Sequence, residues 1–322
     1  MRLRFFREVP KFDFFRFQWA TLGLSGVLVV LSLVAWGVIG LNFGIDFRGG
    51  TTIRTQSEQA VDVGAYRDAL TPLELGDVSI AEVFDPTFTE DQHVAMIRIQ
   101  AQDGQESVSQ QTVAKIEAAL QQVDETISFP LVESVGPKVS GELIWTAVLA
   151  VGASLAAILF YIWLRFEWQF SVGAVAALAH DVILTIGIFS VLQIRFDLAT
   201  IAALLTIIGY SINDTVVIFD RLRENLIKFK STPLRDLMNL TANETLSRTL
   251  MTSGTTLLAL IAMLILGGDV IRGFIFAITW GVVVGTYSSV YVAKNIVLML
   301  GVKRDWSKPD SNQGNQFANV DA

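Results

Sequence analysis

Six long apolar runs divide the chain, at 19 to 40, 142 to 164, 170 to 192, 198 to 219, 250 to 267 and 273 to 300. Most are near or above the roughly 20 residues that a helix needs to cross a bilayer. The pattern predicts a polytopic α-helical membrane protein with six transmembrane helices. Runs two and three are joined by only Arg165-Phe166-Glu167-Trp168-Gln169, and runs three and four by Gln193-Ile194-Arg195-Phe196-Asp197, so these neighbours must pack antiparallel. Between runs four and five lies a basic loop, 220 to 248, whose LRDLMNLTANETLSRTL portion carries the pattern of an interfacial amphipathic helix.

The one long polar segment, 41 to 140, has a different rhythm. TTIRT (51 to 55), VSIAEVF (78 to 84), HVAMIRIQ (93 to 100) and ISFPLVESV (127 to 135) read as strands, and VDVGAYRDAL (61 to 70) as a helix. A second helix over 107 to 123 places Val113, Ile116, Leu120 and Val123 on one face. The order β-α-β-β-α-β predicts a ferredoxin-like α+β domain. That fold hosts many unrelated functions, so it leaves the activity open.

Charge sets the orientation. With the N-terminal segment 1 to 18 inside, Arg165, Arg221, Arg223, Lys228, Lys230 and Arg235 all fall on inner segments, whereas the short outer turns hold only Arg195 and Arg272. Positive residues near span ends stay cytoplasmic. Both termini are therefore expected in the cytoplasm, with 41 to 140 as an extracytoplasmic domain and 301 to 322, rich in Asn, Gln and Asp, as a disordered tail. A signal peptide does not fit the first run, which is longer than a signal core and is followed by Leu41-Asn42-Phe43-Gly44 rather than a small-x-small cleavage site.

The outer segment holds sixteen Asp and Glu against six Lys and Arg, a net of −10 where the whole chain has −7. Such a face is unsuited to nucleic acid or anionic lipid. The chain has no cysteine, which removes disulfides, Cys-based zinc sites and thiol nucleophiles. It also lacks a G-x-x-x-x-G-K-[ST] loop for ATP.

Against this background, carboxylates inside the runs stand out, since a charge at a helix centre costs at least about 2.5 kcal/mol. Asp214 lies about 9 Å inside the boundary marked by Asp220, and Asp181, beside His180, about 17 Å inside the one near Phe170. Run five begins with Arg248 and continues Thr252, Thr255, Thr256 and Ala259, spaced to share a face. Antiparallel packing would bring Arg248 and Thr252 to the depth of Asp214. A structural reading is also open, in which Asn213 or Ser211 satisfies Asp214 and the threonines mark a close helix contact. Desolvation favours a protonated carboxylate and a neighbouring guanidinium an ionised one. A carboxylate reached by water from one side at a time would therefore act as a proton-driven switch.

Three stretches carry a family resemblance: GIDFRGG (44 to 50), GYSINDTVVIFDRLREN (209 to 225) and SRTLMTSGTTLLAL (247 to 260). Together they resemble the SecF family, the smaller partner in the bacterial SecDF accessory unit of the Sec protein translocase, itself like half of a resistance-nodulation-division transporter. The resemblance implies a non-enzymatic subunit of the bacterial inner membrane with a periplasmic domain. It implies SecD, the SecYEG channel, the translocating preprotein and membrane lipid as partners. It implies no cofactor beyond protons as coupling ion. It also implies a proton relay of Asp214, Arg248 and Thr252, with His180, Asp181 and Asn213 as a second tier of membrane polar sites. The GIDFRGG stretch also reads as a plain glycine turn. Two rival classes remain: a proton-coupled exporter of small molecules or lipids, and an intramembrane aspartyl protease, whose expected G-x-G-D is absent around AHD and SIND.

Overall fold

The structure, a computed structural model, describes residues 9–76, 78–86, 88–89, 91–100 and 108–302. The first eight residues of the N-terminal segment, residue 107 and nearly all of the tail expected to be disordered lie outside the described residues.

The elements follow in the order α1 (Gln18–Val38), β1 (Asn42–Phe43), α2 (Ile45–Arg48), β2 (Gly50–Ser57), α3 (Val63–Leu70), β3 (Val78–Val83), β4 (His93–Gln100), α4 (Gln110–Gln121), β5 (Ser128–Val135), α5 (Pro137–Arg165), α6 (Trp168–Leu192), β6 (Arg195–Phe196), α7 (Leu198–Lys228), α8 (Leu234–Leu266), α9 (Asp269–Ser288) and α10 (Lys294–Leu300). A π-helical turn, Ser289–Ala293, links the last two into one span. Six helical segments are long and apolar enough to cross a membrane. This is a multi-pass membrane protein.

Helices α6 and α7 form the centre of the bundle, while α1 and α5 are peripheral and expose rows of leucine, valine and tryptophan. Apolar side chains turned outward need no protein partner where lipid is the solvent. The joints do what their brevity requires. Asp197 caps α7 by accepting from the Thr200 amide at 3.0 Å, and Thr200 returns the bond to complete a capping box. Gln193 closes α6 in a left-handed conformation with φ 51°.

The outer segment folds with four antiparallel strands in the order β3-β4-β2-β5. Ile53 pairs Ile97, and Ile97 pairs Ile80, which sets a branched aliphatic layer under α3 and α4. Tyr66, Leu70, Ile116 and Leu120 complete that core. Val123, expected on the buried face of α4, is 38% exposed. The helix ends at Gln121, so the face does not extend to it.

Two features differ from the sequence reading. The segment 220 to 248, read as a loop with an interfacial helix, is filled by the ends of α7 and α8, with only 229 to 233 between them. The apolar side of that stretch faces protein: Leu237 and Met238 pack with Phe219, Leu222 and Leu226. The partner of an amphipathic face cannot be read from its periodicity.

The second difference is a strap formed by the residues before α1. The Phe12 amide donates to Asn243 Oδ1 at 2.9 Å and its carbonyl accepts from Asn243 Nδ2 at 2.8 Å. The Phe14 amide donates to Asn239 at 2.9 Å. Phe15 is buried, with Lys294 Nζ 4.2 Å from its ring centroid. Asn243→Ala removes both bonds to Phe12 and is expected to weaken the strap by about 1–2 kcal/mol. Faster proteolysis within 10–17 in the folded protein would show it; unchanged cleavage would mean that the Phe14–Asn239 bond and the burial of Phe15 suffice to hold the segment.

Candidate functional site

Asp181 on α6 is 1% exposed and is held by three helices. Its Oδ2 accepts from Ser211 Oγ of α7 at 2.7 Å and from Ser288 Oγ of α9 at 2.8 Å, and Oδ1 lies 3.0 Å from His180 Nδ1. Gly285 permits this approach, because a Cβ there would stand 3.1 Å from Ser211 Cβ and 3.5 Å from the Asp181 carboxylate. The π turn begins directly after Ser288, a disruption frequent at functional sites.

His180 faces the other way along the bundle. Its Nε2 is buried without a hydrogen-bond partner among the described residues, and its ring lies 6.2 Å from that of Tyr287. The Tyr287 hydroxyl bonds Ser25 Oγ and the Thr21 carbonyl of α1, each at 2.9 Å. Tyr287 therefore ties α9 to α1, with its ring beside that of His180 on α6.

One turn along α7 from Ser211 lies Asp214, 3% exposed. Its electrostatic partners on α8 are the Arg248 guanidinium and the Ser253 hydroxyl. Ser253 Oγ also lies 2.7 Å from Thr286 Oγ1 of α9, two residues from Ser288. The two carboxylates thus lie in neighbouring hydroxyl clusters, with Ser211 on the helix of Asp214 and with Thr286 and Ser288 on α9. No hydrogen bond links one carboxylate to the other among the described residues, which removes the shared-proton geometry of an aspartyl dyad.

The anticipated relay is divided by this arrangement. Asp214 is enclosed, but Arg248 and Asn213 are exposed on the outer edges of α8 and α7. Thr252 turns its hydroxyl back to the Arg248 carbonyl at 3.0 Å and does not reach Asp214. Thr255 similarly bonds the Met251 carbonyl at 2.8 Å, while Thr256 accepts from Tyr210 at 3.3 Å. The inward face of α8 is Thr245, Thr249 and Ser253. Both stripes are small, polar and spaced four apart, so spacing alone could not choose between them. Lys294 was also missed: it interrupts the last apolar run, and it is buried against Phe14 and Phe15.

The glycine stretch after α1 does more than turn the chain. Gly49 and Gly50 have φ of 75° and 135°, which explains the pair. Asp46 Oδ2 accepts from the Leu198 amide at 3.0 Å, adding a second carboxylate to the N-terminus of the helix that carries Asp214. β1 pairs in parallel with β6, tying the exit of α1 to the turn before α7.

Comparison with known proteins gives this architecture a family. Residues 115–303 match the family described as "Protein export membrane protein SecD/SecF, C-terminal", and residues 34–61 match "SecD/SecF GG Motif". The "Protein translocase subunit SecF" of Cereibacter sphaeroides is 65% identical over 321 residues, covering 100% of this chain and 99% of that protein. The chain belongs to the SecF family.

A SecF of Rickettsia akari is 39% identical, covering 94% of this chain and 96% of its own. The crystal structure of SecDF, a translocon-associated membrane protein from Thermus thermophilus, superposes with a TM-score of 0.79 at 36% identity. That match covers 90% of this chain and 39% of the SecDF chain, so this SecF-family chain spans about two fifths of the solved protein's length.

Proposed function

We propose that this chain is the SecF-type subunit of the Sec protein translocase of a bacterial inner membrane, and that it couples proton passage to preprotein movement. The observation that carries the reading is the pair of buried carboxylates, Asp181 and Asp214, set among the hydroxyls of Ser211, Ser253, Thr286 and Ser288 on three neighbouring helices. A carboxylate at membrane depth is costly, and hydroxyl partners on separate helices make its protonation state a term in how those helices pack.

The outward set of Asn213, Arg248 and Thr252 supports a second part of the reading. They lie along an edge of α7 and α8 where Asn213 and Arg248 are exposed and Thr252 is half-buried. SecD is the partner that would cover it, since the superposed SecDF chain is more than twice as long as the portion matched. Arg248 would then face Asp214 from one side and the partner from the other. SecYEG and the emerging preprotein are the remaining partners, with both termini cytoplasmic and the acidic domain outside. Protons serve as the coupling ion, and no other cofactor enters the mechanism.

The test is preprotein translocation into inverted inner-membrane vesicles with this chain and SecD present or depleted, each with and without a proton gradient. The gradient-dependent increment is expected only where the pair is present. An equal increment in depleted vesicles would overturn the coupling.

A further inference from the structure

The outer domain meets the bundle at a cavity of about 130 Å³ lined by Arg48, Arg98 and Arg195 together with Ser79, Asn42 and Gly44. Three cations from three separate segments converge there: the short α2, strand β4 and the turn before α7. Arg98 and Ser79 are register partners on adjacent strands, so both side chains leave the same face of the sheet. That face is opposite the one covered by α3 and α4.

Little in the protein answers these charges. Arg98 Nη2 reaches the Met96 sulfur at 3.1 Å, and Arg195 Nη1 reaches the same sulfur at 3.8 Å. A thioether is a weak acceptor. The Nε atoms of both arginines are buried with no hydrogen-bond partner among the described residues. Two carboxylates lie near, but both are engaged at the start of α7: Asp46 accepts from the Leu198 amide and Asp197 from Thr200. Asp197 approaches Arg195 Nε only to 3.9 Å. Burial and then the adjacent Arg195 pull Arg98 down to about 10 from the ordinary arginine value, with Asp197 opposing them.

Two half-buried guanidinium groups brought together, with the Asp197 carboxylate 3.9 Å from one of them as the near counter-charge, form an arrangement that a further anion would stabilise. Their planar forks suit the tetrahedral oxygens of a phosphate group. Depth narrows the choice further. Asn42 follows the end of α1 by four residues and Arg195 follows the end of α6 by three, so the cavity opens where the spans leave the hydrocarbon. Headgroup phosphates occupy that level. We infer that Arg98 and Arg195, with Arg48 at the mouth, form a phosphate-binding site at the seam between outer domain and membrane bundle. A bound phosphate would clamp β4 to the turn that positions α7.

The test is the thermal stability of the full chain purified in phosphate-free detergent. It is measured in chloride, in inorganic phosphate at matched ionic strength, and in chloride with or without phosphatidylglycerol added to the same phosphate-free detergent. A stabilisation by phosphate or by phosphatidylglycerol over its control is expected in the wild type and is lost in Arg98→Gln/Arg195→Gln. Stabilisation by the lipid alone identifies a headgroup site, and by the free ion alone a soluble phosphate site.

The double variant should be no less stable than wild type in chloride, because it removes adjacent like charges. If it does not fold, Arg98→Lys keeps the charge but loses the fork, and is expected to weaken phosphate about tenfold. The inference falls if neither phosphate source stabilises the wild type, if chloride does equally well, or if a folded Arg98 variant keeps the full response.

Discussion

Asp214→Asn is expected to leave the chain in the membrane at wild-type abundance while removing the gradient-dependent part of preprotein translocation. The carboxamide matches the carboxylate in shape and can still meet the Ser253 hydroxyl, so the contact between α7 and α8 is kept. It cannot take up or release a proton in the physiological range, and it carries no charge for Arg248 to answer. One charge moved through 100 mV is worth about 2.3 kcal/mol, roughly fiftyfold in a two-state equilibrium. That is the bias the substitution would forfeit. Translocation into inverted vesicles, compared at matched abundance with and without the gradient, reads it directly. An undiminished gradient response would make Asp214 a packing residue and shift attention to the outer domain.

Gly187→Val is expected to disrupt the docking of α1 on the bundle. Helix α1 is otherwise little enclosed, with Ser25 its one buried residue. It docks on α6 where Gly187 meets Ser32: a Cβ at 187 would overlap the serine side chain and lie 2.8 Å from its Cα. Backbone cannot rotate away as a side-chain tip can, so the helices must separate. The loss would extend to the bonds from Ser190 Oγ to the Ala35 and Gly40 carbonyls, 2.9 and 2.8 Å. Overpacking of this kind costs roughly 1–3 kcal/mol before neighbouring contacts fail. A lowered melting temperature and faster cleavage beside α1 are expected. Gly23→Ala on the same helix, with nothing within 4 Å of the added carbon, serves as the control and should leave both unchanged. If the two variants behave alike, close approach at Gly187 is not what holds α1.

Much of the architecture was legible because the physics behind it is local. A run of about 20 apolar residues has few alternatives to a membrane helix, so six spans could be counted from hydropathy. Strand alternation around Ile53, Ile80 and Ile97 placed the outer elements within a few residues. The cost of a charge in hydrocarbon singled out Asp181 and Asp214, and both prove to be buried.

Other features depend on which surfaces meet, and no periodicity carries that. Thr252 and Ser253 are about 100° apart on one helix, each within a plausible small polar stripe; only the packing of α8 on α7 and α9 selects Ser253. The amphipathic stretch after Pro233 was suited equally to a lipid surface and to the protein, and the Phe219 and Leu222 contacts decide for the protein. Arg98 and Arg195, separated by nearly a hundred positions, converge because β4 and the turn before α7 arrive at one seam. The chain by itself determined how many helices cross, how the outer elements are ordered and which carboxylates lie at membrane depth, since each follows from residues within a turn or a strand. Which hydroxyls answer those carboxylates, what covers each amphipathic face and where distant arginines meet were decided only by tertiary structure, because helix rotation and inter-element contact are set by packing across the whole bundle.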